Sequence, residues 1–323
     1  MTAPRVTPLD PPRKEEIHAA RERIRGLAVR TPLLRLPLED AEIHLKLETL
    51  QPIGSFKIRG AGNAMRSAPR DLLARGVYTA SAGNMAQGVA WCAREMGIRC
   101  TAVVPDDAPR AKLDAIERLG ARTLLVPFAD WWTVLEEHRY PGLDGLFVHP
   151  VADPAVIAGN GTIGLEILED LPDVDAVLVP FGGGGLSGGI ASAIRAERPG
   201  VPVYACEIET AAPLAASWAS GVPSSVDRIP SFVDGIGGKS VLPEMWALLR
   251  SVLQGPIVVS LEETAAAVRL LVARARVVAE GAGAVSVAAA LAGRAGRGRL
   301  ACVVSGGNID PQKLATILMG RLP

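Results

Sequence analysis

The sequence is short of the residues that most often build metal, disulfide and nucleic-acid sites. Its 323 residues include 4 cysteines and 4 histidines. Cys92, Cys100, Cys206 and Cys302 form no CxxC pair, which argues against a disulfide framework and suits a reducing compartment. His18, His44, His138 and His149 show neither HxxxH spacing nor a neighbouring cysteine, so no metal site is expected from them. Neither sign of charge is in excess, with Lys+Arg and Asp+Glu at 34 each. That balance speaks against nucleic acid or an anionic membrane as a partner. No apolar run is long and uncharged enough to span a bilayer. The most apolar stretch, 277–293, contains Glu280 and reads as a buried Ala/Gly helix. The start, MTAPRVTPLDPPRKEE, lacks the apolar core of a signal peptide, so a cytoplasmic protein is expected.

What remains is 49% apolar and 21% charged, a globular composition with length for one large or two ordinary domains. Short β-branched runs alternate with helical patterns throughout. Strands are expected over 43–48, 76–80, 100–105, 123–127, 146–150, 176–180, 202–209, 256–260 and 300–305. Helices are expected over 109–119, 186–198 and 261–278, the last opened by an acidic pair. Continuous apolar strands separated by helices imply an α/β fold with open, twisted parallel sheets covered on both faces. No repeat or low-complexity linker separates two units, so the chain is expected to cross between them more than once. In such folds ligands sit beyond the carboxyl ends of strands, and four loops there carry chemistry.

Lysine is scarce, six against 28 arginines, and Lys57 in QPIGSFKIRGA stands among small and apolar residues. Held in an apolar pocket, it would have a lowered pKa and act as an amine nucleophile toward an aldehyde; a surface lysine at a helix start fits equally. The second loop, SAGNMAQ (81–87), follows a strand and feeds a helix. Its free N–H groups suit a carboxylate, although an ordinary N-cap loop has the same look. The third, GGGGLSGG (182–189), lets the backbone fold around one phosphate at a helix N-terminus. It also matches GxGxxG through Gly183, Gly185 and Gly188, with Glu207 near the place of a ribose-binding carboxylate. A phosphorylated cofactor and a dinucleotide both stand at this point. The fourth, CVVSGGNID (302–310), puts the Ser305 hydroxyl at a sheet's carboxyl edge.

Taken in order, GSFKIRGA, SAGN, GGGGL and SGGN resemble the fold-type II pyridoxal 5′-phosphate enzymes, most closely the serine/threonine dehydratase and serine racemase group. The resemblance runs from TPL (31–33) through HP (149–150), 154–166 and DG (234–235) to SGGN (305–308). It accounts for Lys57 and the SAGN loop, which the dinucleotide reading leaves unexplained. It implies a tryptophan synthase β-like fold of two sheet domains with pyridoxal 5′-phosphate in the cleft between them. Residues 1–68 and 151–323 would form the large cofactor-binding domain, and 69–150 a small mobile one. Lys57 would hold the cofactor as a Schiff base and move the Cα proton, with Phe56 beside the ring. Asn84 would bond the ring's phenolic oxygen. Gly182, Gly183, Gly184, Gly185 and the Leu186 amide would cradle the phosphate, and Ser305 would face the pyridine nitrogen. Ser81, Ala82, Gly83, Asn84 and Met85 would receive the substrate carboxylate. A homodimer or higher homo-oligomer is implied too.

The activity implied is β-elimination from a β-hydroxy amino acid such as L-threonine or L-serine, giving a 2-oxo acid and ammonia. A neutral hydroxyl at the pyridine nitrogen stabilises a carbanion less than a carboxylate would, which favours prompt loss of a β-substituent. Racemases of the group carry a second serine where this chain has Ala82, so racemisation is the weaker alternative. Met85 replaces the group's histidine and would loosen the demand for a small polar substrate, leaving a bulkier β-hydroxy amino acid open. Trp131 and Trp132 read as packing or lid residues. Glu207 marks the cation site of some relatives, but Ala211, Ala212 and Pro213 follow where another carboxylate is wanted. Glu280 resembles an acidic residue near the cofactor in relatives, and a role in helix packing fits as well. With the sequence ending at Pro323, the C-terminal regulatory domain of biosynthetic relatives is not expected.

Overall fold

The alternating pattern forms two sheets in the computed structural model, which describes residues 7–323. The strands are β1 (Leu33–Arg35), β2 (Glu42–Leu47), β3 (Val77–Ala80), β4 (Cys100–Pro105), β5 (Arg122–Val126), β6 (Leu146–Phe147), β7 (Ala176–Pro180), β8 (Val203–Ile208), β9 (Gly255–Val259) and β10 (Arg299–Val304). One sheet has six strands in the order β1-β2-β10-β7-β8-β9, the other four in the order β5-β4-β3-β6. Every pairing is parallel except β1 with β2. The fold is thus α/β with two parallel-sheet domains.

Strand chemistry sets strand place. AVLVP in β7 is buried at every position and lies inside the six-stranded sheet, as a strand covered on both faces must. β1 escaped the expected set because it is three residues long, largely exposed and enclosed by Pro32 and Pro37. Such a strand survives only at an edge, and there it runs antiparallel. β6 is shorter than the expected 146–150. The His149 Nδ1 accepts the N–H groups of Val151 and Ala152 at 3.0 and 2.7 Å, which turns the chain out of the ladder.

Two helices also depart from expectation. The helix from Leu261 opens on a reciprocal cap between Ser260 and Glu263 but is α only to Leu270. A π turn over Leu271–Ala275 follows, and Arg276 at φ 60° takes the chain out of the helix. The Ala/Gly segment is helical from Gly281 to Leu291, so Glu280 sits at its N-cap and not inside it.

Beneath the first loop lies a fully buried ionic cluster. Arg59 donates to Glu48 twice at 2.8 Å and to Glu166 at 2.7 and 2.9 Å. Lys46 bonds Glu166 at 2.5 Å and the Thr31 carbonyl at 2.6 Å. Two cations face two carboxylates. The arginine holds Glu48 below the usual carboxylate range against a burial that would raise it. Because Arg59 belongs to the helix Lys57–Ser67, this cluster anchors that helix to β2 and to the helix Pro154–Asp170.

Candidate active site

Lys57 opens its helix, and its Nζ donates to the Pro150 carbonyl at 3.0 Å. The same nitrogen lies 5.1 Å from the centroid of the Phe56 ring. Lys57 as a whole is half-buried, while protein crowds its amine. Burial lowers the ammonium from 10.5 to about 8, opposed by the negative charge of Glu280. The first and fourth loops are stitched together here. The Phe56 N–H donates to the Ser305 carbonyl at 3.0 Å, and Ser55 bridges Gly306. Helix Asn84–Met96 packs directly on the lysine's backbone. A side chain at Gly88 would come within 3.2 Å of the Lys57 carbonyl carbon, so glycine is what allows that approach.

The second loop follows β3. Its turn is held by the Ser81 hydroxyl, which accepts the Gly83 N–H at 3.1 Å. Among the described residues nothing accepts from the N–H groups of Ala82, Asn84 and Met85. Asn84 itself is engaged on both sides. Its Nδ2 donates to Glu280 Oε1 at 2.9 Å, and its Oδ1 accepts from Asn308 Nδ2 at 2.8 Å. Glu280 thus ties the second loop to the N-terminus of the helix Gly281–Leu291, where it is the N-cap residue. Burial raises its carboxyl to about 7, helped by Asp234 and opposed by the Asn84 bond.

The third loop follows β7. Gly184 takes φ 98°, a left-handed conformation natural to glycine, and caps the helix Gly185–Glu197. A side chain at Gly183 would meet Val151 at 2.7 Å. Among the described residues no carbonyl or side chain accepts from the N–H groups of Gly182 through Ser187. Six consecutive free amides at a helix N-terminus form a ready anion cradle. Ser305, buried at the end of β10, completes the ring of four loops.

Several expected residues lie elsewhere. Met85 contributes its N–H to the second loop, but its side chain is 2% exposed within the apolar cluster of Ile53, Ile58 and Val89. Trp131 packs against the cluster of Tyr78 and Val103, while the Trp132 indole N–H bonds Glu136 at 2.7 Å. The Glu207 carboxylate accepts the N–H groups of Leu214 and Ala215, both at 2.8 Å, and so caps a helix. Asn308 was within the SGGN run but carried no role from sequence, because nothing local shows that it reaches Asn84.

Two parallel-sheet domains that carry a low-pKa lysine beside Pro150 and an anion cradle beside Val151 suit an enzyme that holds a phosphorylated cofactor through an amine. The chain belongs to the family described as pyridoxal-phosphate dependent enzyme, whose model matches residues 24–306. It is 41% identical over 312 residues to an L-threonine ammonia-lyase of Thermotoga maritima, covering 94% of this chain and 77% of that protein. Maize serine racemase superposes with a TM-score of 0.85 at 29% identity, covering 96% of this chain and 98% of that one. The processed threonine deaminase isoform 2 of Solanum lycopersicum gives 0.84 at 28%, covering 97% and 96%. The architecture is the tryptophan synthase β-like, fold-type II one, and the cofactor is pyridoxal phosphate. The residues present suit that group: a cradle for phosphate, an amine whose lowered pKa eases its loss of a proton for attack on the aldehyde, and a neutral hydroxyl on Ser305. No helix is long and apolar enough to cross a membrane among the described residues.

Proposed function

We propose that this protein is an ammonia-lyase that eliminates water from a β-hydroxy amino acid such as L-threonine or L-serine. The products are a 2-oxo acid and ammonia. The observation that carries the reading is the lowered amine of Lys57 set among four loops that each supply one complementary group. Lys57 would hold the cofactor and, once released, take the Cα proton as the neutral amine that a pKa of about 8 makes available. The amides of Gly182, Gly183, Gly184, Gly185 and Leu186 would hold the phosphate. Phe56 would flank the ring, Asn84 would donate to its phenolic oxygen, and Ser305 would face its nitrogen. Bound pyridoxal phosphate supplies the electron sink that makes the Cα hydrogen acidic.

The free amides of the 81–85 loop would receive the substrate carboxylate. Ala82 offers no titratable group there, which favours elimination over two-base racemisation. The small unit, 69–150, would close on the unit made of 1–68 and 151–323 and exclude water. A cytoplasmic homodimer or higher homo-oligomer fits this reading.

The test is 2-oxo acid release by cofactor-loaded protein from L- and D-serine, L-threonine, 3-hydroxyaspartate, phenylserine and longer β-hydroxy amino acids. Release from threonine or serine supports the reading, and release only from a bulky member moves the substrate but keeps the chemistry. Racemisation of recovered serine without 2-oxo acid would replace lyase by isomerase.

A further inference from the structure

Among the described residues, the Asn84 side chain is the one polar group of the small-sheet domain held from two sides by the other domain. The chain of bonds has a fixed direction. At one end the Ile53 carbonyl accepts from Asn308 Nδ2 at 2.9 Å, and a carbonyl can only accept. The Asn308 amide must therefore turn its NH2 end toward Ile53 and Asn84. Asn84 in turn must present Oδ1 to Asn308, at 2.8 Å, and Nδ2 to Glu280 Oε1, at 2.9 Å. When Glu280 is ionised its carboxylate accepts only, so above its raised pKa both ends enforce the same polarity, and below it the Ile53 end alone does so.

The backbone is cut away to let this happen. A side chain at Gly54, already at φ 70°, would meet Asn308 Oδ1 at 2.8 Å, and one at Gly306 would meet Glu280 Oε1 at 2.6 Å. The Glu280 N–H is held by the Gly306 carbonyl at 3.0 Å and the Gly307 N–H by the Gly54 carbonyl at 2.9 Å. Both anchors of the Asn84 amide are thus tied to the loop that leads into Lys57.

We propose that Asn308 and Glu280 are positioning residues that lock the Asn84 amide with its remaining N–H free to donate, so that the site accepts a cofactor carrying an anionic ring oxygen. This inference rests on the reading of the cleft as a pyridoxal phosphate site. It gives Asn84 a selective function, since a flipped amide would turn its carbonyl oxygen on the same anion. It also couples cofactor binding to contact between the two domains.

The test is a double-mutant cycle read by the dissociation constant for pyridoxal phosphate and by the visible band of the bound cofactor. Asn308 is itself exposed, so Asn308→Ala should weaken binding about three- to ten-fold, by leaving the Asn84 amide free to turn. Asn308→Asp, which cannot donate to Asn84 Oδ1, should weaken it at least as much and shift the band. Glu280→Gln keeps an accepting oxygen and should retain affinity within about three-fold, whereas Glu280→Ala should not. In an Asn84→Ala background the Asn308→Ala loss should shrink to less than about two-fold, because the effect runs through Asn84. Equal losses in both backgrounds, or wild-type affinity and band in Asn308→Asp, would overturn the inference. Failure of the wild-type protein to take up pyridoxal phosphate would overturn the reading of the cleft as well.

Discussion

The titration of Lys57 offers a quantitative check on the site. An ordinary lysine at 10.5 is almost wholly an ammonium at neutral pH, and an ammonium cannot attack an aldehyde. With burial lowering Lys57 to about 8, half of the amine is neutral at pH of about 8 and roughly a tenth at pH of about 7. The neutral fraction at pH 8 is then about 150-fold above that of an unperturbed lysine. Stopped-flow capture of pyridoxal phosphate by the apoprotein, followed between pH 6 and 10.5, should give a rate that rises with a midpoint near pH 8 and levels off above about pH 9. The sign of the Glu280 contribution is fixed as well. Its charge favours the ammonium, so Glu280→Gln should move the midpoint below that of the wild type. A capture rate still rising at pH 10, or a midpoint raised in Glu280→Gln, would refute the assignment of burial and Glu280 as the two opposing causes.

Other consequences follow from the surroundings of the site. Arg59→Met leaves two buried carboxylates facing Lys46 alone and should cost about 3–5 kcal/mol in chemical denaturation, whereas a loss under about 1 would mean the cluster is not a coupled unit. Gly184→Ala places a side chain at φ 98° and within 2.8 Å of Leu249, and should weaken cofactor binding at least about ten-fold by distorting the cradle. Met85→His puts a polar ring into an apolar cluster and should lower stability by about 1–3 kcal/mol, read from the denaturation midpoint. Unchanged stability, with a shift of preference toward serine and threonine, would instead show that the position 85 side chain addresses substrate.

Legibility from sequence followed the range of the interactions. β7, β4 and β10 are plain in their runs of Val, Leu, Ala and Cys, since burial on both faces keeps polar residues to the opening positions, Thr101 and Arg299. The glycine loop and Lys57 were legible because each motif is local: a strand, a turn and a helix start within a dozen residues. β1 was not, because an exposed three-residue edge strand has no pattern to read and is held only by its partner β2. The π turn at Leu271–Ala275 continues a helical pattern that no Gly or Pro interrupts before Gly281. Residues joined across 196 and 224 positions, Asn84 to Glu280 and Asn84 to Asn308, carry no mark of that contact in the chain. Met85 shows the converse. Its place beside Asn84 suggested a substrate contact, but helical geometry turns its side chain away from the loop and into the core.

Lys57 as the cofactor's anchor is tested most directly by borohydride reduction of the loaded protein, followed by proteolysis and mass spectrometry. The expected result is a reduced pyridoxyl phosphate on the peptide containing Lys57, absent from Lys57→Ala, which should also lose 2-oxo acid production while keeping its circular dichroism. A stable adduct on any of the other five lysines, or turnover retained in Lys57→Ala, would contradict it.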